Sequence, residues 1–443
     1  MIKRLLVANR GEIAVRVIRA CRELGIGTTA VYSTADRDSL HVRLADRAVC
    51  IGPPPSAKSY LVREHLITAA TRTGCEAVHP GVGFLSENAG FARQVAKEGL
   101  LFIGPDADVI DLLGDKVRAR ETAARFGLPV TPGSDGAVAD PVAAAAAAER
   151  LGYPVIIKAA SGGGGKGMRV VRSPAQLPEN LAVARREAEA CFADGTVYIE
   201  KYLEDPRHVE LQILADGNGD VAVLGERDCS VQKRHQKLIE ESPSPGCDEP
   251  MRKRMCEGAV RMFRELKYRG AGTVEFLVSG ADFYFMEVNA RVQVEHPVSE
   301  YVSGVDIVRG QIFACVEGRL DIESAAVRLS GWAIECRVNA HGPGRVTRLE
   351  VPGGPGVRFD SFLYSGCIVP PHYDSMVGKL IVHAPTRERA LSRMDRALGE
   401  LLIEGIRTNI AQQRFLINHR TFRSGRFGTS YYAAIEKELE DVR

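Results

Sequence analysis

Residues 2–8 form an apolar run that Asn9, Arg10 and Gly11 interrupt; apolar residues then recur at helical spacing over 12–24, and a second apolar run follows at 27–32. A strand, a turn, an amphipathic helix and another strand predict a βαβ start. Short apolar runs at 77–78 and 101–103 extend the pattern, so an open parallel sheet is expected over the first hundred residues. The pattern changes over 129–141, where Pro, Gly, Asp and Thr gather, and an alanine-rich helix is expected over 142–151. Strand-like runs at 153–160 and 168–172 bracket a glycine loop, and a third lies at 196–202, which predicts a small separate domain. Strands dominate from 204 until the C-terminal helices, the clearest spanning 387–402.

Composition narrows the class. A chain of 443 residues, 45% hydrophobic and 26% charged, should fold throughout into two or three domains. Its 58 basic and 56 acidic residues leave a formal charge of +2, so no net field gathers nucleic acid or anionic membrane. Anionic ligands must be held locally. Ten cysteines without C-x-x-C or zinc-ligand spacing read as reduced structural thiols. The first apolar run is too short for a secretory core and no later stretch approaches membrane-spanning length, so a cytoplasmic location is expected.

The loop Ser161-Gly162-Gly163-Gly164-Gly165-Lys166-Gly167 is the first chemical signal, because residues without side chains let backbone N–H groups approach phosphate oxygens. It is not a Walker A loop: no Ser or Thr follows the Lys, and a strand comes next. A G-x-G-x-x-G fingerprint is also absent after the first strand, which argues against a dinucleotide fold. Lys158, in VIIKAA, sits where an unpaired ammonium is costly and a bound phosphate would relieve it. Lys116, after Gly114-Asp115, reads equally well as a phosphate ligand or as a solvated helix-end lysine.

The second signal runs over 272–295. TVEFLV and FYFMEV flank a turn at 279–282, and if that turn centres on Ala281, Glu275 faces Glu287. Facing carboxylates repel unless a cation lies between them, and Mg²⁺ brought by nucleotide phosphates prefers one or two carboxylates. Beyond Glu287, polar Asn289, Arg291, Gln293 and Glu295 alternate with apolar residues, so extended backbone would present all five polar groups on one face. That mixture suits a site for metal, anion and proton better than a solvated strand face. The basic run Gln232-Lys233-Arg234-His235-Gln236-Lys237 and lone His208 are weak signals by themselves.

Taken in order, VANRGEIAVRVIRAC, HPGVGFLSEN, SGGGGKGMRVV, EKYLEDPRHVELQ, ERDCSVQKRHQK, FMEVNARVQVEHPVSE and PHYDSMVGKL resemble the biotin carboxylases of the ATP-grasp superfamily, subunits of acetyl-CoA carboxylase or related acyl-CoA carboxylases. The resemblance spans essentially the whole chain. It implies an α/β and α+β ATP-grasp fold: an open parallel-sheet domain over 1–113, a linker helix over 114–130, and a small mobile glycine-loop lid over 131–203. A large subdomain over 204–330 and a C-terminal mixed α+β domain over 331–443 complete it. The implied reaction is the ATP-dependent carboxylation of biotin with bicarbonate, through carboxyphosphate.

By that resemblance, ATP is contacted by Lys116, Lys158, Gly164, Gly165, Glu200, Lys201, Leu203, His208, Gln232 and His235. Glu275, Glu287 and Asn289 hold Mg²⁺ or Mn²⁺, and bicarbonate lies against Lys237, Arg291, Gln293 and the Val294 backbone. Glu295 is the base, and Arg337 stabilises the enolate oxygen of the biotin ring. The sequence departs from the family pattern at Val82, at His341 and Gly342 in a shortened loop, and at Pro355, where relatives carry a bulky dimer contact. No Met-Lys-Met biotin site is present, so biotin is expected on a separate carrier protein, with a carboxyltransferase subunit as a further partner. The competing expectations are an ATP-grasp ligase with another acceptor and a nucleotide-binding regulatory relative.

Overall fold

The computed structural model describes residues 2–134, 136–160 and 167–440. The N-terminal sheet is parallel and five-stranded, ordered Arg47–Gly52, Gly27–Ser33, Arg4–Val7, Ala77–His79, Leu101–Phe102. Its first helix, Gly11–Glu23, buries Ile13, Val17, Ile18 and Cys21, as the apolar spacing requires. The turn into that helix needs Gly11, which has φ +67°.

The small unit has its own core. Strands Arg169–Val171, Val155–Ala159 and Val197–Lys201 form an antiparallel sheet, and helices Pro141–Leu151 and Leu177–Phe192 cover it. Val155, Ile157, Val197 and Ile199 pack there with Ala144, Leu181 and Ala184. Asp140 caps the first of these helices through Val142 and Ala143 N–H, and Pro141 occupies the position where no N–H is needed. The loop residues Gly164 and Gly165 lie outside the described residues.

The main sheet is eight-stranded and antiparallel. Its order is Asp282–Asn289, Arg269–Ser279, Arg207–Asp216, Val221–Lys233, Gln236–Ser242, Trp332–Asn339, Met376–Ala384, Val357–Ser361. One sheet therefore joins segment 204–330 to segment 331–443, through the Gln236–Ser242 and Trp332–Asn339 pair. Helix Arg387–Glu400 packs on its C-terminal part, with Ala390, Leu391, Met394 and Leu398 buried.

Two expectations about 272–295 need correction. The turn lies between Gly280 and Ala281, with Ser279 paired to Asp282 and Phe276 to Phe285. A bulge at Met286 then shifts the register so that Glu275 still faces Glu287. The extended backbone also ends at Asn289: residues 290–295 bend and turn into helix His296–Ser303, which Glu295 precedes with φ −79° and ψ 9°. The polar side chains of 287–295 thus meet by a turn rather than by strand alternation.

Candidate active site

Strand register builds the floor of the site. Across one face of the main sheet, Glu287 lies opposite Glu275, Glu275 opposite Glu210, and Glu210 opposite Arg227. Three carboxylates in a row are tolerable only with cations among them. Arg227, fully buried, donates from Nε to Glu210 Oε1 at 2.6 Å and from Nη1 to Gln212 Oε1 at 2.6 Å. Lys237 enters from the neighbouring hairpin: its Nζ lies 2.6 Å from Glu210, 2.9 Å from Glu275 and 2.6 Å from Glu295. Burial would lower its pKa, but these three carboxylates raise it well above the ordinary lysine value.

Glu275 is the most heavily bonded carboxylate. Its Oε1 accepts from Lys237, from Asn289 Nδ2 at 2.8 Å and from Gln293 Nε2 at 3.0 Å, and its Oε2 lies 2.8 Å from His208 Nε2. Gln232 donates to His208 Nδ1 at 2.8 Å, which leaves Nε2 as the ring N–H facing Glu275. Burial opposes ionisation of Glu275, yet Lys237 and His208 outweigh it and hold the carboxyl well below the usual range. For the His208 ring the balance is similar: burial lowers its pKa, and Glu275 more than restores it.

Arg291 spans the next layer. Its Nε donates to Glu87 at 2.7 Å, Nη2 to Asn289 Oδ1 at 2.9 Å and Nη1 to Gln293 Oε1 at 3.0 Å. Glu295 bridges to the neighbouring strand, one oxygen on Lys237 and the other 3.0 Å from Arg337 Nη2. Arg337 Nε donates to Glu240 Oε1 at 2.6 Å. Burial would raise the Glu295 carboxyl, but Lys237, Arg337 and Arg227 keep it well below its ordinary value. The Val294 carbonyl accepts from Lys379, a fully buried lysine that also lies 3.3 Å from Glu12.

On the lid side, Lys116 heads helix Lys116–Arg125 and points inward, 3.7 Å from Glu287. Lys158 is already paired with Glu200, as is Arg120, so phosphate is not needed to make its burial tolerable. Lys201 Nζ donates to the carbonyls of Gly152 and Tyr153 at 2.8 and 3.3 Å. Leu203 is half-buried, and His235 is exposed on the two-residue turn that precedes Lys237.

Family models match nearly the whole chain: the biotin carboxylase N-terminal domain over residues 1–110, the carbamoyl-phosphate synthase L chain ATP-binding domain over 115–322, and the biotin carboxylase C-terminal domain over 335–434. Biotin carboxylase of Haemophilus influenzae is 51% identical over 447 residues, covering 99% of each chain. The chain belongs to the biotin carboxylase family. Biotin carboxylase 1 of Bacillus subtilis is 50% identical, covering 97% of this chain and 98% of its own. Among solved structures, a nucleotide complex of Campylobacter jejuni biotin carboxylase matches with a TM-score of 0.95 at 45% identity, over 98% and 99% of the two chains. The biotin carboxylase domain dimer of Hydrogenobacter thermophilus 2-oxoglutarate carboxylase, in complex with MgADP, ADP and bicarbonate, matches with a TM-score of 0.94 at 43% identity, over 98% of each chain.

The donor set fits the divalent cation that such a family site takes. Glu275 and Glu287 face each other as paired carboxylates, Asn289 adds a carboxamide oxygen, and hard oxygen donors of this kind suit Mg²⁺. Sequence reasoning missed Glu87, Glu210, Arg227, Glu240 and Lys379. A signal existed for Glu210, because His208, Glu210 and Gln212 alternate with apolar Val209, Leu211 and Ile213 along one strand. Arg227 and Lys379 gave none, since a buried cation is recognisable only through partners distant in sequence.

Proposed function

We propose that this pocket carries out the first half-reaction of a biotin-dependent carboxylase, with the residues in the following roles. The reaction is ATP-dependent carboxylation of biotin with bicarbonate, giving ADP and phosphate. The observation that carries the assignment is the Glu295 carboxylate, shared between Lys237 on one side and Arg337 on the other.

Lys116 and Lys158 neutralise ATP phosphates, together with the backbone of Gly164 and Gly165, while Glu200, Lys201, Leu203, His208, Gln232 and His235 line the nucleotide. Held by Glu275, Glu287 and Asn289, Mg²⁺ when bound neutralises phosphate oxygens during phosphoryl transfer. Bicarbonate binds against Lys237, Arg291, Gln293 and Val294. Its charge raises the pKa of Glu295 and competes for the Lys237 ammonium, and both effects turn a clamped carboxylate into a base for the bicarbonate proton. Bicarbonate attacks the γ-phosphoryl group to give carboxyphosphate, which releases CO₂ beside biotin. The departing phosphate takes the biotin N1 proton, and Arg337 stabilises the negative charge on the ureido oxygen.

The lid over 131–203 excludes water, 114–130 links it to the 1–113 unit, and 204–330 and 331–443 supply the site floor and the biotin side. Biotin arrives on a carrier protein and a carboxyltransferase completes the pathway. The chain pairs as a homodimer, with Pro355 in the turn before strand Val357–Ser361 making a smaller contact than a bulky residue would. No helix among the described residues is long and apolar enough to cross a membrane.

The decisive assay is ATP- and bicarbonate-dependent carboxylation of free biotin by the parent, Glu295→Ala and Arg337→Ala. Activity is expected in the parent, with losses of about a hundredfold or more in each variant. Unchanged variant rates would remove the assignment, and ATP hydrolysis that biotin fails to stimulate would point to a different acceptor.

A further inference from the structure

Among the described residues, Glu335 is a buried carboxylate with no hydrogen-bond partner at either oxygen. It lies in strand Trp332–Asn339, directly opposite Glu240 of strand Gln236–Ser242. Residues so paired leave the same face of the sheet with Cβ atoms roughly 5 Å apart. Both are fully buried. Glu240 uses Oε1 on Arg337 Nε, while its Oε2 has no partner.

The charged groups facing Glu335 come from each element packed around it: Lys379 from strand Met376–Ala384, Glu240 from strand Gln236–Ser242, Arg337 from its own strand, and Glu295 at the start of helix His296–Ser303. Lys379 is committed to the Val294 carbonyl and Glu12, and Arg337 to Glu240 and Glu295. Two ionised carboxylates in register in a dry sheet repel strongly. One proton between them would allow a hydrogen bond instead, with a Glu335 O–H as donor and Glu240 Oε2 as acceptor, and would satisfy an unpartnered oxygen on each residue. Burial, reinforced by Glu240, does push the Glu335 carboxyl well above the carboxylate range in spite of Lys379.

We propose that Glu335 is a positioning residue that carries a proton in the resting enzyme and, as a neutral donor to Glu240, keeps the Glu240 carboxylate aimed at Arg337. So anchored at Nε, Arg337 can exchange Glu295 for the acceptor oxygen at Nη2 without losing its orientation. The inference rests on the placement of Arg337 at the acceptor.

Infrared difference spectra of the full chain against Glu335→Gln, recorded at mildly alkaline pH without substrates, read the proton directly. A carbonyl band of a protonated carboxylic acid is expected in the parent and absent from the variant; finding only ionised carboxylate bands would overturn the proposal. In turnover, Glu335→Ala is expected to raise the KM for biotin about tenfold while the KM for ATP holds, with Glu335→Gln, which retains a donor, recovering most of the loss. Equal impairment of the two variants would mean that charge rather than the donor matters, and would also overturn it. Because the spectrum needs no turnover, a parent enzyme unable to carboxylate biotin would sink the assigned reaction while the proton was still located.

Discussion

Arg227 shows how much of the site depends on one side chain. It is fully buried, and its guanidinium reaches Glu210, Gln212, Ser299 and Thr273. Arg227→Met is expected to cost about 3–5 kcal/mol, because Glu210 stays buried with its cross-strand partner gone. Urea denaturation measures this, and a loss below about 1 kcal/mol would mean that Lys237 alone compensates Glu210. At this scale the sequence was legible where polar residues recur on apolar strands, as at Glu275 and Glu287. It was misleading at Lys237, which sat in a basic run that reads as a solvated loop. The turn at Arg234 and His235 divides that run, leaving those two exposed and sending Lys237 inward to three carboxylates.

Among the elements, that turn carries a measurable strain. Arg234 and His235 have φ of +51° and +64°, conformations that Asn and Gly adopt more readily than Arg and His. Replacing the pair with Asn-Gly is expected to stabilise the protein by about 1 kcal/mol, read as a higher urea midpoint with an unchanged slope. The same variant raises the KM for ATP if His235 reaches the nucleotide from its exposed position. The hairpin over 269–289 teaches a different lesson about legibility. The pairing of Glu275 with Glu287 was readable, but it arises from a two-residue turn plus a bulge at Met286, and hydrophobic alternation does not reveal a bulge. Likewise nothing in the alternation past Asn289 announced the turn that gathers Arg291, Gln293 and Glu295.

For the molecule as a whole, buried histidines set the acid limit. His41 Nε2 donates to the Val31 carbonyl and His79 Nδ1 accepts from the Gly81 N–H, both rings fully buried. Burial depresses their pKa values to about 4 and about 3, against 6.5 ordinarily. A base depressed on folding adds stability that is complete above its unfolded pKa and is lost as the pH falls below it. Between about pH 5.5 and 4.5 the unfolded chain binds about 1.8 more protons at these two positions, which contributes about 2.4 kcal/mol per pH unit to the slope. Urea unfolding of the parent and of His79→Asn across that range isolates one of the two positions: the variant's slope should be lower by about 1.3 kcal/mol per pH unit. The parallel N-terminal sheet and the separate small unit were both legible as runs of strand and helix signals. The continuity of the main sheet was not, since pairing between Gln236–Ser242 and Trp332–Asn339 joins segments almost a hundred residues apart.

That continuity bears on how the protein can be divided. A chain cut near residue 330 would leave two fragments, each with a raw row of backbone donors and acceptors where its neighbour had been. Co-expressed halves should re-zip along that seam into a complemented enzyme, whereas either half made alone should precipitate.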